Sequence, residues 1–324
     1  MADKKEFIWS ELVHLGSNFW NEEGNTKGRE HRSTPAASPD LLFFRESWDK
    51  HIQDLKDAGV NTLIVDIGDA MLYNSHPEIA LKGSWTTEQM RAEIDRLTDM
   101  GFELIPKLNF SACHDVWLKD YSRMLSTSVY YDVCRDLIRE VCEVFKPRHF
   151  HLGMDEETYD HQRNFDYAVV RNGDLWWKDF YYLIDCVEKY NARPWIWSDY
   201  AWNHRELFLE RMPKEVVQNN WYYSNAFGPS DEGFSDKQLN RLSLFNCLDE
   251  HGFDQVPTGS VFSWEDNFEK LTKYCVENIS SERLLGMMQS TWERVDPAWM
   301  HIQDLSAKTI RDAKQWYDTN ASEK

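Results

Sequence analysis

The apolar pattern of this 324-residue chain switches repeatedly between the two-residue period of a strand and the 3.6-residue period of a helix, and that alternation constrains its fold more than any single motif. Phe7 to Leu15 reads as a strand. Val60 to Ile67, Phe102 to Leu108, Arg148 to Leu152, Pro194 to Trp197, Val216 to Asn219, Ser260 to Ser263 and Leu284 to Met288 read as further strands. Helical stretches separate them: Ser47 to Ala58 stopped by Gly59, Thr86 as an N-cap to Met100 closed by Gly101, and Ser128 to Phe145. Asp174 to Tyr190, a weaker stretch near Glu206 to Arg211, Asp236 to His251, Asn267 to Asn278 and His301 to Tyr317 complete the series. Strands and helices alternating at this spacing imply a parallel sheet. Eight such units over roughly 300 residues match one α/β domain, a single (β/α)8 TIM barrel spanning 1–324. The rival is a doubly wound open sheet, but no Gly-rich phosphate loop follows any strand to support it. The polar segment 16–40, rich in Gly, Ser and Pro, reads as a long loop after the first strand, too long to be idle.

Charge and cysteine usage narrow the function classes. Lys and Arg total 36 against 55 Asp and Glu, a formal charge of −19, which weighs against nucleic acid, anionic membranes and polyanionic ligands. No stretch approaches the ~18 apolar residues of a spanning helix, and the opening Met-Ala-Asp-Lys-Lys lacks an apolar signal region. The expected location is cytoplasmic, or secreted or periplasmic if a leader has been removed. Six scattered cysteines show no CxxC and no Cys/His spacing suited to a metal, so reduced thiols are expected, with no metal and no cofactor. The expected partner is a small carbohydrate or glycoconjugate, and a homodimer is the one macromolecular association left open. Aromatics are the outlier: Trp, Tyr and Phe make up 14% of the chain, and the tryptophans recur where the strands end, as stacking on sugar faces requires.

In a barrel the site forms at the C-terminal ends of the strands. Those ends carry Asp66 and Asp69, Asn109 and His114, Asp155 and Glu156, Trp197 and Asp199, Trp221 and Tyr222, Trp264 and Glu265, and Trp292 and Glu293. Acids interleaved with aromatics describe a carbohydrate site, although each tryptophan alone would serve equally as core. The fourth strand end is the most charged: His151-Leu152-Gly153-Met154 runs into Asp155-Glu156-Glu157. Adjacent carboxylates repel, so a proton tends to be retained, as a general acid needs. An acidic helix cap is the structural alternative. Neighbours on a strand point to opposite faces, so Asp155 and Glu156 share a pocket only if the strand has ended by about Met154.

His151-Leu152-Gly153-Met154-Asp155-Glu156 resembles the His-x-Gly-Gly-Asp-Glu signature of the family 20 glycoside hydrolases, the β-N-acetylhexosaminidases. The resemblance extends along most of the chain. Val60 to Asp69 is similar to the second-strand pattern, with Asp66 where a His is usual. Leu104 to Asn109 and His114 resemble the third-strand segment, with Lys107 and Asn109 replacing acids, and Leu285 to Glu293 resembles the last, ending in Trp-x-Glu. The resemblance implies an exo-acting retaining hydrolase in which Glu156 is the general acid. Asp155 would orient a substrate acetamide whose oxygen attacks the anomeric carbon. It further implies that His114 belongs to the network around Glu156, that Trp197, Trp221 and Trp292 wall the pocket, and that Glu293 accepts sugar hydroxyls.

Two departures fall on substrate recognition. The family's arginine at the first strand end is missing, leaving Arg29, Arg32 or Arg45 to reach in, and the seventh strand brings Trp264-Glu265 where a tyrosine belongs. A retaining glycosidase of other specificity, with Glu265 as nucleophile, is therefore an alternative; Glu265 as a helix-terminal acid is its structural counterpart. A catalytically degenerate sugar-binding barrel and a metal-dependent hydrolase using Asp66, Asp69, His114 and Asp155 complete the alternatives.

Overall fold

A computed structural model describes residues 6–20, 37–163 and 165–321. Eight parallel strands form one sheet in the order β6-β5-β4-β3-β2-β1-β8-β7: β1 (Ile8–His14), β2 (Thr62–Asp66), β3 (Glu103–Lys107), β4 (His149–His151), β5 (Arg193–Trp197), β6 (Val217–Asn219), β7 (Thr258–Ser260) and β8 (Gly286–Ser290). The ends of this order meet. Val256 N donates to the Gln218 carbonyl and Tyr222 N to the Thr258 carbonyl, both at 3.0 Å, so β6 and β7 close a (β/α)8 barrel. The helices around it are α1 (Arg45–Ala58), α2 (Thr87–Asp99), α3 (Ser128–Phe145), α4 (Tyr159–Gln162), α5 (Asp174–Glu188), α6 (Tyr200–Asn203), α7 (Arg205–Arg211), α8 (Asp236–Glu250), α9 (Asn267–Asn278) and α10 (Met300–Asn320). None is long and apolar enough to cross a membrane. Within the expected 16–40 loop, residues 21–36, and with them Arg29 and Arg32, lie outside the described residues.

Local sequence explains the element ends. Thr86 and Gln89 form a reciprocal capping box at the start of α2. Gly59 closes α1 in the left-handed region at φ 86°. Strand side chains alternate between two cores. Inward-facing Leu12, Ile64, Ile105, Trp195, Val217 and Met288 fill the barrel, while outward-facing Trp9, Leu63, Leu104 and Phe150 meet the helices. Each such fully buried side chain is worth about 1.5–3 kcal/mol.

The outer layer also holds a polar staple. Buried Glu11 of β1 accepts from Ser306 on α10 at 2.7 Å and pairs with His51 on α1 at 2.9 Å, tying both flanking helices to the first strand. The six cysteines are free thiols, as read from their scatter.

Candidate active site

β4 stops at His151, and the chain then turns sharply: Gly153, Met154 and Glu156 take φ values of 73°, 72° and 54°. A left-handed L-residue costs about 1–2 kcal/mol. Here the turn breaks the alternation of a strand, so that Asp155 and Glu156 both face one pocket. Asn109 stitches the turn to β3. Its side-chain oxygen accepts from Ser111 N at 3.0 Å and Met154 N at 3.3 Å, and its amide donates to Asp155 Oδ1 at 2.9 Å. A Cβ on Gly153 would collide with that same Asn109 side chain and backbone. Gly153→Ala is therefore expected to cost activity at least tenfold, because the strained turn and its Asn109 clasp cannot coexist with a methyl group. Wild-type turnover by purified Gly153→Ala would refute this.

The third acid is turned away. Glu157 makes a two-point ion pair with fully buried Arg171, whose guanidinium also reaches Asp179 at 3.1 Å and the Phe110 carbonyl at 2.7 Å. Glu157 thereby anchors the turn, and only Asp155 and Glu156 of the acidic triplet serve the pocket.

Between those two lies His114. Its Nε2 stands 3.3 Å from Asp155 Oδ2 and 3.4 Å from Glu156 Oε2. Burial opposes the imidazolium, but the two carboxylates outweigh it and raise the His114 pKa to about 10. Glu156 also meets His161 at 3.4 Å, and the two imidazoles overcome burial to hold its carboxyl well below the usual range. Burial, with the Asp155 charge second, raises Asp199 to about 7; its Oδ2 accepts the Glu156 N–H at 2.9 Å. In the free site the retained proton thus resides on His114 rather than on the Asp155–Glu156 pair itself.

The pocket, about 150 Å³, is walled by Trp20, Trp197, Trp221, Tyr223, Phe262 and Trp292, with His114, Asp155, Glu156 and Glu293 as its polar groups. Trp197 and Trp292 meet at 5.8 Å between ring centroids, Tyr223 and Trp292 at 6.1 Å, and Trp221 stacks on Tyr223 at 4.8 Å. A positive φ of 56° at Trp292, after β8, brings Trp292 and Glu293 in together, as at the fourth strand end. Among the described residues, the buried Tyr223 hydroxyl and the Trp197 and Trp292 indole N–H groups have no hydrogen-bond partner.

Several residues expected in the pocket lie elsewhere. Tyr222 points outward and its hydroxyl donates to the Ala226 carbonyl; alternation from Trp221 puts Tyr223 in the pocket instead, a signal already present in the period-two pattern. β7 runs Thr258–Ser260, not Ser260 to Ser263. Asn267 Oδ1 accepts the Ser260 N–H at 2.9 Å and Asn267 N donates to the Trp264 carbonyl at 3.1 Å, so the chain turns back early into α9. Phe262 consequently reaches the pocket, whereas Trp264, 50% exposed, and Glu265 face solvent. The double-displacement arrangement with Glu265 as nucleophile is not formed. Arg45 begins α1, lies against Phe43 and Trp85, and pairs with Glu93 at 2.9 Å, outside the pocket.

Asn109 and Asp199 stand behind the pocket, supporting Asp155 and Glu156. Asp66 is paired with Lys107 and His14 inside the barrel. Asp69 lies apart, accepting from Asn18 at 2.9 Å, so the four-residue metal set does not assemble. His114, Asp155 and Glu156 do offer ligand atoms within 4.8 Å of one another. The imidazole already bridges both carboxylates, so these three satisfy one another by direct ion pairing.

Burial raises Asp69 from 3.8 to about 7. Between those pH values the native state holds one proton more than the unfolded chain, so stability falls as pH rises through that window. Asp69→Asn should therefore raise the unfolding free energy at pH 8 by on the order of 2 kcal/mol and change it little at pH 4. Denaturant titrations at the two pH values decide this, and an equal effect at both would contradict it.

No protein-family model matches the chain. The lacto-N-biosidase of Bifidobacterium bifidum is 20% identical over 310 residues, covering 80% of this chain and 28% of that protein. The exo-β-N-acetylglucosaminidase of Vibrio harveyi, a family 20 glycoside hydrolase solved with N-acetylglucosamine, superposes with a TM-score of 0.62 at 15% identity over 95% of this chain and 54% of that one. The β-N-acetylhexosaminidase of Bacteroides fragilis gives 0.58 at 11% identity, covering 98% and 71%. The chain thus spans little more than a quarter of the curated relative and about half of the Vibrio protein. Distant in sequence from all three, the chain has the fold found in solved family 20 β-N-acetylhexosaminidases.

Proposed function

We propose that this barrel is an exo-acting, retaining glycoside hydrolase of the β-N-acetylhexosaminidase type. The observation that carries the reading is the turn after β4, which sets Asp155 and Glu156 side by side in one aromatic-walled pocket. A pocket with acids at its polar end and indoles as its walls suits a terminal sugar, with the tryptophan faces stacking on its apolar side.

Glu156 gives its proton to the departing oxygen as the acetamide oxygen attacks the anomeric carbon. His114, 3.4 Å away and protonated in the free site, restocks Glu156 as substrate excludes water. Asp155, held by Asn109 and His114, accepts the acetamide N–H and stabilises the positive charge that develops on the oxazolinium ring. Glu156, now ionised, takes a proton from the water that opens the ring and passes it back to His114, which restores the site. The seventh strand brings no tyrosine to the acetamide oxygen; Tyr223, entering after β6 with its hydroxyl unpartnered, is suited to donate to it.

An aryl-glycoside screen tests the reading, with release of aryl alcohol from β-N-acetylglucosaminide or β-N-acetylgalactosaminide as the expected result. A thiazoline analogue of N-acetylglucosamine should inhibit strongly. Tyr223→Phe should lower kcat by about 10- to 100-fold, in line with the loss of a group that positions the attacking acetamide oxygen. Glu265→Ala should leave turnover within about twofold, since a solvent-facing acid contributes little. Binding of saccharides without hydrolysis across the panel would reduce the site to a sugar-binding one.

A further inference from the structure

Beside the pocket stands a cation that, among the described residues, sits on no carboxylate. The Arg241 guanidinium on α8 lies over Trp202 at 4.0 Å and over Trp221 at 4.8 Å. The two indoles meet edge to face at 4.3 Å, and Trp202 Nε1 donates to Asn220 Oδ1 at 3.0 Å, which fixes the platform. Trp221 is also a wall of the pocket. Acids outnumber bases 55 to 36 in this chain, and arginines such as Arg45, Arg96, Arg148 and Arg171 sit on carboxylates. Among the described residues, the Arg241 guanidinium makes no hydrogen bond and no ion pair.

A half-buried guanidinium left in this state is destabilising. Burial pushes its pKa down, and the nearby Asp199 and Glu156 charges offset only part of that. Stacking fixes the guanidinium plane and leaves its N–H edge, a fork that matches an oxyanion, free to donate. Position supplies the rest. Trp221, over which the guanidinium lies, is a wall of the pocket that holds Glu156, and Arg241 is not itself among the residues lining that pocket, so the guanidinium stands just outside it.

We propose that Arg241, on its Trp202–Trp221 platform, forms a subsite for an acidic substituent, a carboxylate or a sulfate, carried by the part of the substrate that lies outside the pocket. The proposal rests on the pocket holding a terminal sugar. The substrate would then be neutral where it enters the pocket and anionic outside it.

Calorimetry in the Glu156→Gln background, with three aryl β-N-acetylglucosaminides bearing a para-carboxylate, a para-sulfate or a neutral para-carboxamide, tests this. An anionic ligand should bind at least about tenfold more tightly than the carboxamide at low salt, and less so as salt rises. Which anion binds tighter identifies the substituent. Adding Arg241→Met should bring the anion-to-carboxamide ratio close to one, with Arg241→Lys in between. Equal binding of all three ligands overturns the proposal. So does an Arg241→Met that weakens all three alike, because the arginine would then only support Trp221. Absence of measurable binding by any of the three rejects the subsite together with the sugar reading. Wild-type turnover of the carboxamide glycoside is a separate arm: its absence rejects the hydrolase while the binding ratio still decides the subsite.

Discussion

Glu156→Gln is expected to lower kcat/KM on unactivated glycosides by about 10³-fold or more, the upper part of the range that a positioned general acid supplies. The side chain keeps its size, and its contacts with His114 and His161 can persist as hydrogen bonds, so the fold should stay intact. The loss should shrink for aryl glycosides whose leaving group needs no protonation. That dependence on leaving-group acidity separates an acid from a residue that merely shapes the pocket. Comparing wild type and variant on a series of substituted phenyl glycosides, with circular dichroism as the folding control, decides the matter. Undiminished turnover by the variant on poor leaving groups would remove Glu156 from the mechanism.

The second large effect is one of stability. Arg171→Met should cost about 3–5 kcal/mol, because it strands the buried charges of Glu157 and Asp179 without their partner. Asp115, buried beside this network with neither carboxylate oxygen hydrogen-bonded among the described residues, would lose the larger of the two cationic influences, Arg171 and His114, that oppose its burial; its pKa is already raised well above the ordinary value by desolvation. Glu157 is the residue next to Glu156, so partial release of this anchor should also loosen the strained turn and reduce activity before global unfolding. Arg171→Lys, which keeps the charge and loses the two-point fork, should fall between wild type and Arg171→Met in a denaturant titration. A loss below about 1 kcal/mol for Arg171→Met would show that the buried network does not hold the turn.

Most of the barrel was legible in the chain because its evidence is local. Strand and helix periods, the Gly59 stop and the Thr86 cap each depend on a few consecutive residues, and the eight units they mark are the eight units found. Boundaries failed where a long-range contact intervened. Asn267, from the following helix, captures the Ser260 N–H and ends β7 early, which reversed the fates of Phe262 and Trp264. The choice of Tyr222 over Tyr223 was a different kind of error, since alternation from Trp221 already favoured Tyr223.

The sequence by itself determined the order of strands and helices, the acids and aromatics that cluster after the strands, and the concentration of charge at Asp155-Glu156-Glu157. Tertiary structure alone decided what each of those charges does. A carboxylate's role depends on the dielectric around it and on the ions within a few ångströms, and those ions come from residues distant in the chain. His114 and His161 hold Glu156 ionised, Arg171 withdraws Glu157, burial beside Asp155 keeps Asp199 near 7, and Arg241 lies over a pair of indoles with no carboxylate paired to it among the described residues.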